Sequence, residues 1–180
     1  MAVNLRAALC VAVWSTCCAL SPPRGGVHDF DFEWGAWRAH VTRLTQPLSG
    51  SKTWVSYEGT SVVHPLLGGR ENVGELQVSG PAGRIDGLTI RLYDPVQHHW
   101  EIYWANARNP ALDVPMAGGF ADGRGVFFAH DMLNGKPIEV RFVFSDITRS
   151  RFRFEQAFSP DRGRTWEVNW IATFERSGRS

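Results

Sequence analysis

RFRFEQAFSPDRGRTWEVNWIATFER, Arg151 to Arg176, holds two runs of alternating side chains around one polar turn. Phe152, Phe154, Gln156 and Phe158 share a parity in the first run. In the second, Val168, Trp170, Ala172 and Phe174 stand opposite Glu167, Asn169, Thr173 and Glu175. Successive strand residues point to opposite faces, so each run predicts a strand with its apolar set turned to a core. The two strands and their turn form a hairpin.

The turn itself, SPDRGRTW (Ser159 to Trp166), fits the S-x-D-x-G-x-T-W Asp-box pattern that sialidase-type propellers carry several times. Asp161 is placed to accept backbone N–H bonds, Gly163 to adopt positive φ, and Trp166 to fold beneath the turn. A propeller needs at least four blades of roughly 40–50 residues each. This chain has 180 residues and one copy of the pattern. The turn chemistry therefore reads as the fastener of a hairpin in some other β fold.

Working outward, the same punctuation recurs. GAWRAHVTRL, TWVSYEGTSVV, ENVGELQVS, RIDGLTIRLYD, HWEIYWANA, MAGGFA, GVFFAHDML and PIEVRFVFS are short runs rich in aromatic and β-branched residues. Gly, Pro, Asp and Asn separate them, as in PLLGGR, DPVQHH, ADGRG and LNGKP. Within GAWRAHVTRL, Trp37, Ala39, Val41 and Arg43 fit a period of two. HDFDFEW, ahead of it, alternates Phe30, Phe32 and Trp34 with Asp29, Asp31 and Glu33, predicting a segment across one end of the core with a wet acidic face. The expected fold is all-β: a single antiparallel up-and-down barrel of about ten strands, closed at one end by this short N-terminal segment. Closure removes the exposed edges that invite aggregation and encloses room for one small ligand.

Arg6 precedes the apolar run AALCVAVWSTCCAL, Ala7 to Leu20. The run is too short for the roughly 20 residues of a membrane span and suits a signal-peptide core. Residues 1–20 are read as a signal peptide, 21–27 as a flexible segment and 28–177 as the barrel domain. Export to the periplasm or the extracellular space follows. All three cysteines lie in the apolar run, so the mature chain would hold its fold without disulfides. A lipoprotein anchor at Cys17 or Cys18 is disfavoured by the poor lipobox before them.

Nineteen basic and eighteen acidic side chains are spread along the chain, leaving no clustered footprint for nucleic acid. Arg149, Arg151 and Arg153 alternate with Ser150, Phe152 and Phe154, as the outer face of a strand does. No nucleic-acid partner or stable membrane span is expected, and a monomer is the default.

Gly35-Ala36-Trp37 resembles the G-x-W motif that opens the first strand of lipocalins, or calycins. Arg176, ending the last strand, stands where those barrels place an arginine across that tryptophan. With DFDFEWGAW, YEGTSVVHPLLGG, RLYDP, WEIYW and FEQAFSPDRGRTWEVNW, the chain resembles small bacterial, often exported, lipocalin-like proteins of unknown function. The resemblance implies a barrel plugged by an indole under a guanidinium, with no assigned reaction.

Eight tryptophans point to an aromatic-lined cavity, so a small hydrophobic or aromatic ligand is the first expectation. Trp54, Trp104 and Trp170 are its expected walls, and Glu58, Asn106 and Gln156 its polar groups. Trp37, Arg176, Asp161, Gly163 and Trp166 are assigned structural roles. An enzyme, such as a cyclase, isomerase or hydrolase, would draw its general acid or base from Glu58, His130 or Glu155. A third reading is a structural or partner-binding barrel with a filled core. Arg141 and Glu155 are placed to pair on the outer face. The histidines, His28, His40, His64, His98, His99 and His130, lack the spacing of a metal site. No cofactor is predicted; haem on one axial histidine, a use known among nitrobindin-like barrels, stays open, with no motif to select the ligand.

Overall fold

Alternation and turn chemistry produce ten strands in the computed structural model, which describes residues 26–109 and 111–178. They are β1 (Gly35–Leu44), β2 (Trp54–Leu66), β3 (Glu71–Gly80), β4 (Gly83–Asp94) and β5 (His99–Asn106). The second half comprises β6 (Met116–Ala121), β7 (Arg124–Leu133), β8 (Lys136–Ser145), β9 (Arg151–Ser159) and β10 (Glu167–Arg176). Each strand pairs antiparallel with its neighbours in sequence, and β10 returns to pair with β1, closing an up-and-down barrel. Two 3-10 turns, Asp31–Glu33 and Leu67–Gly69, are the helical content among the described residues. The expected signal peptide and its cysteines lie outside the described residues.

Two hairpins show how local chemistry sets the register. Asp122-Gly123 and Asn134-Gly135 take positive φ (51° and 73°, 51° and 76°), the geometry that turns β6 into β7 and β7 into β8 without splaying the strands. Across β1 the inward parity is that of Trp37, Ala39 and Val41, all essentially inaccessible, and it continues to Arg43 at the far end.

The N-terminal segment closes the Trp37 end. Phe30 inserts into the lumen and meets Trp100, Phe120 and Phe144 edge to face at 5.1, 4.9 and 5.3 Å. These are favourable geometries for the ring quadrupoles. Trp100 Nε1 donates to Gly26 O at 2.9 Å and Trp37 Nε1 to Glu33 O at 2.6 Å, so the indoles also tether the segment's backbone. Outside, the Arg176 guanidinium lies 3.9 Å from the Trp37 ring centroid. It donates to Trp34 O (2.6 Å), Phe32 O (3.0 Å) and Arg149 O (3.0 Å).

Two expectations need correction. The acidic face of HDFDFEW is not uniformly wet, because the 3-10 turn breaks the period of two and carries Glu33 into the barrel, where it is 1% exposed. In β10 the register slips between Val168 and Trp170. Val168 pairs with Ala157 and Trp170 with Gln156, so Asn169 is the extra residue of a bulge. Paired residues share a face, which sets Val168 with the outward parity of Ala157 and Glu167 with the inward parity of Phe158. Asn169, expected outside, is 3% exposed and accepts a 2.8 Å bond from Gln156 Nε2.

Candidate functional site

Opposite the plug, the lumen remains open as a cavity of about 530 Å³. That lies within the usual range of roughly 300–1,000 Å³ for small-molecule sites. Its walls are largely aromatic: Phe142, Phe144, Phe152, Phe154, Phe158 and Phe174 take part, with Trp104 and Trp170 toward the mouth. Trp104 (β5) and Trp170 (β10) meet edge to face at 6.2 Å. Arg43 lies 4.8 Å from the Trp170 ring centroid, and Asn106 and Gln156 add neutral polar groups to the lining.

Gly87 of β4 explains how one wall holds an indole. A Cβ there would stand 1.8 Å from Trp104 Cη2, so the ring occupies the space a side chain would take. The wall is also incomplete beside Trp104. β6 pairs with β5 only from Trp100 to Ile102, and beyond that point the 107–115 connection bonds back through Asp113 N to Trp104 O at 2.8 Å. Asp113 and Val114 of this connection and Asp131 of β7 line the opening. Partial burial and the nearby Asp131 raise the Asp113 carboxyl from its ordinary value.

At the deep end, Arg91 Nη2 stands 2.7 Å from Glu33 Oε2, with side chains only 8% and 2% exposed. Arg91 Nη1 donates to Asn72 Oδ1 at 2.8 Å, and the guanidinium lies 4.9 Å from the Phe30 ring centroid. Glu33 Oε1 and Arg91 Nε have no partner among the described residues. Burial raises the Glu33 carboxyl against the pull of Arg91 and lowers the Arg91 guanidinium against the pull of Glu33. Desolvation is the larger effect on both.

The expected site residues separate into two groups. Trp104, Asn106, Gln156 and Trp170 line the cavity. Trp54 does not: it pairs with Leu44, on the face opposite Arg43, and is 40% exposed. Glu58 is also outside, bonded to exposed His40 on β1. His130 pairs with Glu139 at 2.7 Å on the outer surface, and Glu155 pairs with Arg153. The three acid–base candidates thus lie on separate outer faces and do not converge. The anticipated Arg141–Glu155 pair is not a direct contact: Glu155 bonds Arg153, while Arg141 stacks on Trp166, its guanidinium 4.4 Å from the ring centroid, and feels the Glu155 charge from farther off. None of the six histidines lines the cavity, so none offers an axial ligand to a haem in the lumen. No group of three His, Cys, Asp or Glu able to hold a metal occurs among the described residues.

The SPDRGRTW turn lies at the mouth end. Asp161 Oδ1 accepts from Ser159 Oγ and Thr165 N, both at 2.8 Å, and Oδ2 from Thr165 Oγ1 at 2.7 Å. These bonds hold the carboxyl down at about 2. Gly163 takes φ 82°, and Trp166 Nε1 donates to Gly163 O at 3.0 Å while the ring packs on Phe128 outside the barrel. The turn's side chains do not line the cavity.

Sequence reasoning missed Glu33, Arg43, Asp113 and Asp131 as lining groups. Arg43 carried a signal, its shared parity with Trp37, Ala39 and Val41. Glu33 carried none that survives the 3-10 turn, and Asp113 sits in a connection with no period.

Fold and cavity together define a lipocalin-like barrel with one open, aromatic-lined end. No family model matches the chain, and no curated protein matches it in sequence. Among solved structures, the S-type phycobiliprotein lyase CPES from Guillardia theta is similar, with 11% identity and a TM-score of 0.57. The alignment covers 84% of this chain and 92% of that one. A redesigned β-barrel, mFAP0, bound to DFHBI, aligns at 10% identity and a TM-score of 0.44 over 81% of this chain and 99% of its own. At 11% identity, the likeness to the lyase is one of fold.

Proposed function

We propose that the protein binds a small, largely apolar ligand inside the barrel. The observation that carries this reading is the open cavity of about 530 Å³, walled by aromatic rings and bearing a few polar groups. A filled core would have left no such space, and the outward placement of Glu58, His130 and Glu155 removes the residues on which the enzyme reading rested. Apolar walls supply affinity, while Asn106 and Gln156 supply direction. Titrating the protein with retinoids, fatty acids, haem and aromatic metabolites should quench tryptophan emission saturably with at least one class. No response across all four would contradict the reading.

Export belongs to the same proposal. Arg6, the apolar run from Ala7 to Leu20 and the confinement of every cysteine to that run support a cleaved signal peptide and a cysteine-free mature barrel. Mass spectrometry of protein recovered from its native host should show a chain that begins after Ala19 or close to it; an intact Met1 would contradict this.

A further inference from the structure

Of the four arginines that line the cavity, three have an oxygen partner. Arg84 Nε is 2.7 Å from Asp86 Oδ1, Arg91 Nη2 is 2.7 Å from Glu33 Oε2, and Arg108 Nη2 donates to Arg84 O at 3.2 Å. Arg43 has no hydrogen bond or ion pair among the described residues. Its guanidinium rests 4.8 Å from the Trp170 ring centroid, at an exposed position on the last inward turn of β1. The next residues of that parity are Val41 and Ala39, and the cross-strand partners of Arg43 are Val55 and Trp170. The cation therefore stands where the aromatic lumen meets solvent, with no carboxylate in ion-pair contact among the described residues; Glu167, at the start of the adjoining β10, is instead held by Leu48 N at 2.6 Å.

The acids of the mouth stand mostly elsewhere. Asp131 is on β7, separated from β1 by β10, β9 and β8, and Asp113 is on the connection from β5 to β6. Asp86 is held by Arg84, and Glu75 lies on β3 beyond β2. An anion entering the mouth is repelled on the β7 side and attracted at Arg43. Stacking leaves the guanidinium edge free, and that edge matches a carboxylate in two parallel N–H···O bonds.

We infer that the ligand is an amphipathic carboxylic acid. Its carboxylate pairs with Arg43 at the mouth, and its apolar body enters the lumen beside Trp104 and Trp170. This rests on the ligand-binding reading above, so the test separates the two. 2-Naphthoate and 2-naphthamide share one apolar body and differ in charge. By calorimetric titration, the native protein should bind 2-naphthoate about tenfold more tightly, the scale of one charge-assisted hydrogen-bonded pair. In Arg43→Gln the ratio should fall to about one, with 2-naphthoate losing more affinity than 2-naphthamide, because the substitution removes the cation that only the carboxylate pairs with. Arg43→Lys should retain part of the preference, and thermal melts should show both variants folded. Equal affinities in the native protein, or an unchanged ratio in Arg43→Gln, would overturn the carboxylate assignment and leave the cavity reading intact. Failure of both compounds to bind would overturn both.

Discussion

Trp104 and Trp170 approach to 6.2 Å, ring edge to ring face, from strands that lie five places apart in the ring. β6 to β9 separate their strands on one side, and β1 to β4 on the other. A contact between opposite walls narrows the lumen near its mouth, so a ligand that enters must pass or displace an indole. Gly87 behind one ring and Arg43 over the other fix the two positions.

Gly87→Ala tests that arrangement. The added methyl would stand 1.8 Å from Trp104 Cη2, so the indole must leave its wall and move into the lumen. Overpacking of this kind costs about 1–3 kcal/mol. Urea unfolding should show that loss, and tryptophan emission should shift together with a weaker affinity for apolar ligands. Native-like emission and affinity would contradict the assigned packing.

The strands were legible because turn chemistry marks their ends: DG and NG turn β6 to β7 and β7 to β8 where they stand in the sequence. The inward face was legible where parity runs unbroken, as from Trp100 to Asn106. It failed where geometry interrupts parity. The bulge at Asn169 reverses the start of β10, and the 3-10 turn at Asp31–Glu33 carries one acidic residue inward. Trp54 was misplaced for another reason. Both faces near that end of β2 carry apolar side chains, Trp54 outward and Val55 and Tyr57 inward, so hydrophobicity alone does not select the face.

Glu33 and Arg91 should show the energetics of a buried pair. Removing one partner strands the other charge, so Glu33→Leu and Arg91→Met should each cost about 3–5 kcal/mol, with the double variant less destabilised than either. The pH dependence has a definite sign. Glu33 is raised from 4.5, so its stabilising contribution is present below 4.5 and is lost as pH rises through the higher folded value. Arg91→Met, lacking the opposing charge, should steepen that loss. Additive single losses in urea unfolding would contradict the coupling.

Arg176→Lys should loosen the plug. Lysine keeps the charge but loses the planar face on Trp37 and the fork that reaches Phe32 O, Trp34 O and Arg149 O. A loss of roughly 1–3 kcal/mol is expected from the broken charge-assisted bonds. Hydrogen exchange should rise in the plug segment ahead of β1. Unchanged protection there would contradict the role assigned to Arg176.

Asp161 should govern stability only in strong acid. Its carboxyl is lowered from 3.8 to about 2 by the turn's donors, so the stability it contributes is present above 3.8 and lost as pH falls through about 2. Asp161→Asn should lower the melting temperature at neutral pH and remove that acid-range dependence, with ligand affinity unchanged. A lost affinity at unchanged stability would assign the turn to the binding site instead.

Indole N–H resonances test the cavity as the binding site most directly, because tryptophans stand both in its lining and outside the barrel. In a 15N-labelled sample titrated with 2-naphthamide, the Nε1 signals of Trp104 and Trp170 should shift saturably, and those of Trp54 and Trp166 should stay in place. Saturable shifts confined to Trp54 and Trp166, or no shift at any indole, would contradict a ligand site inside the barrel.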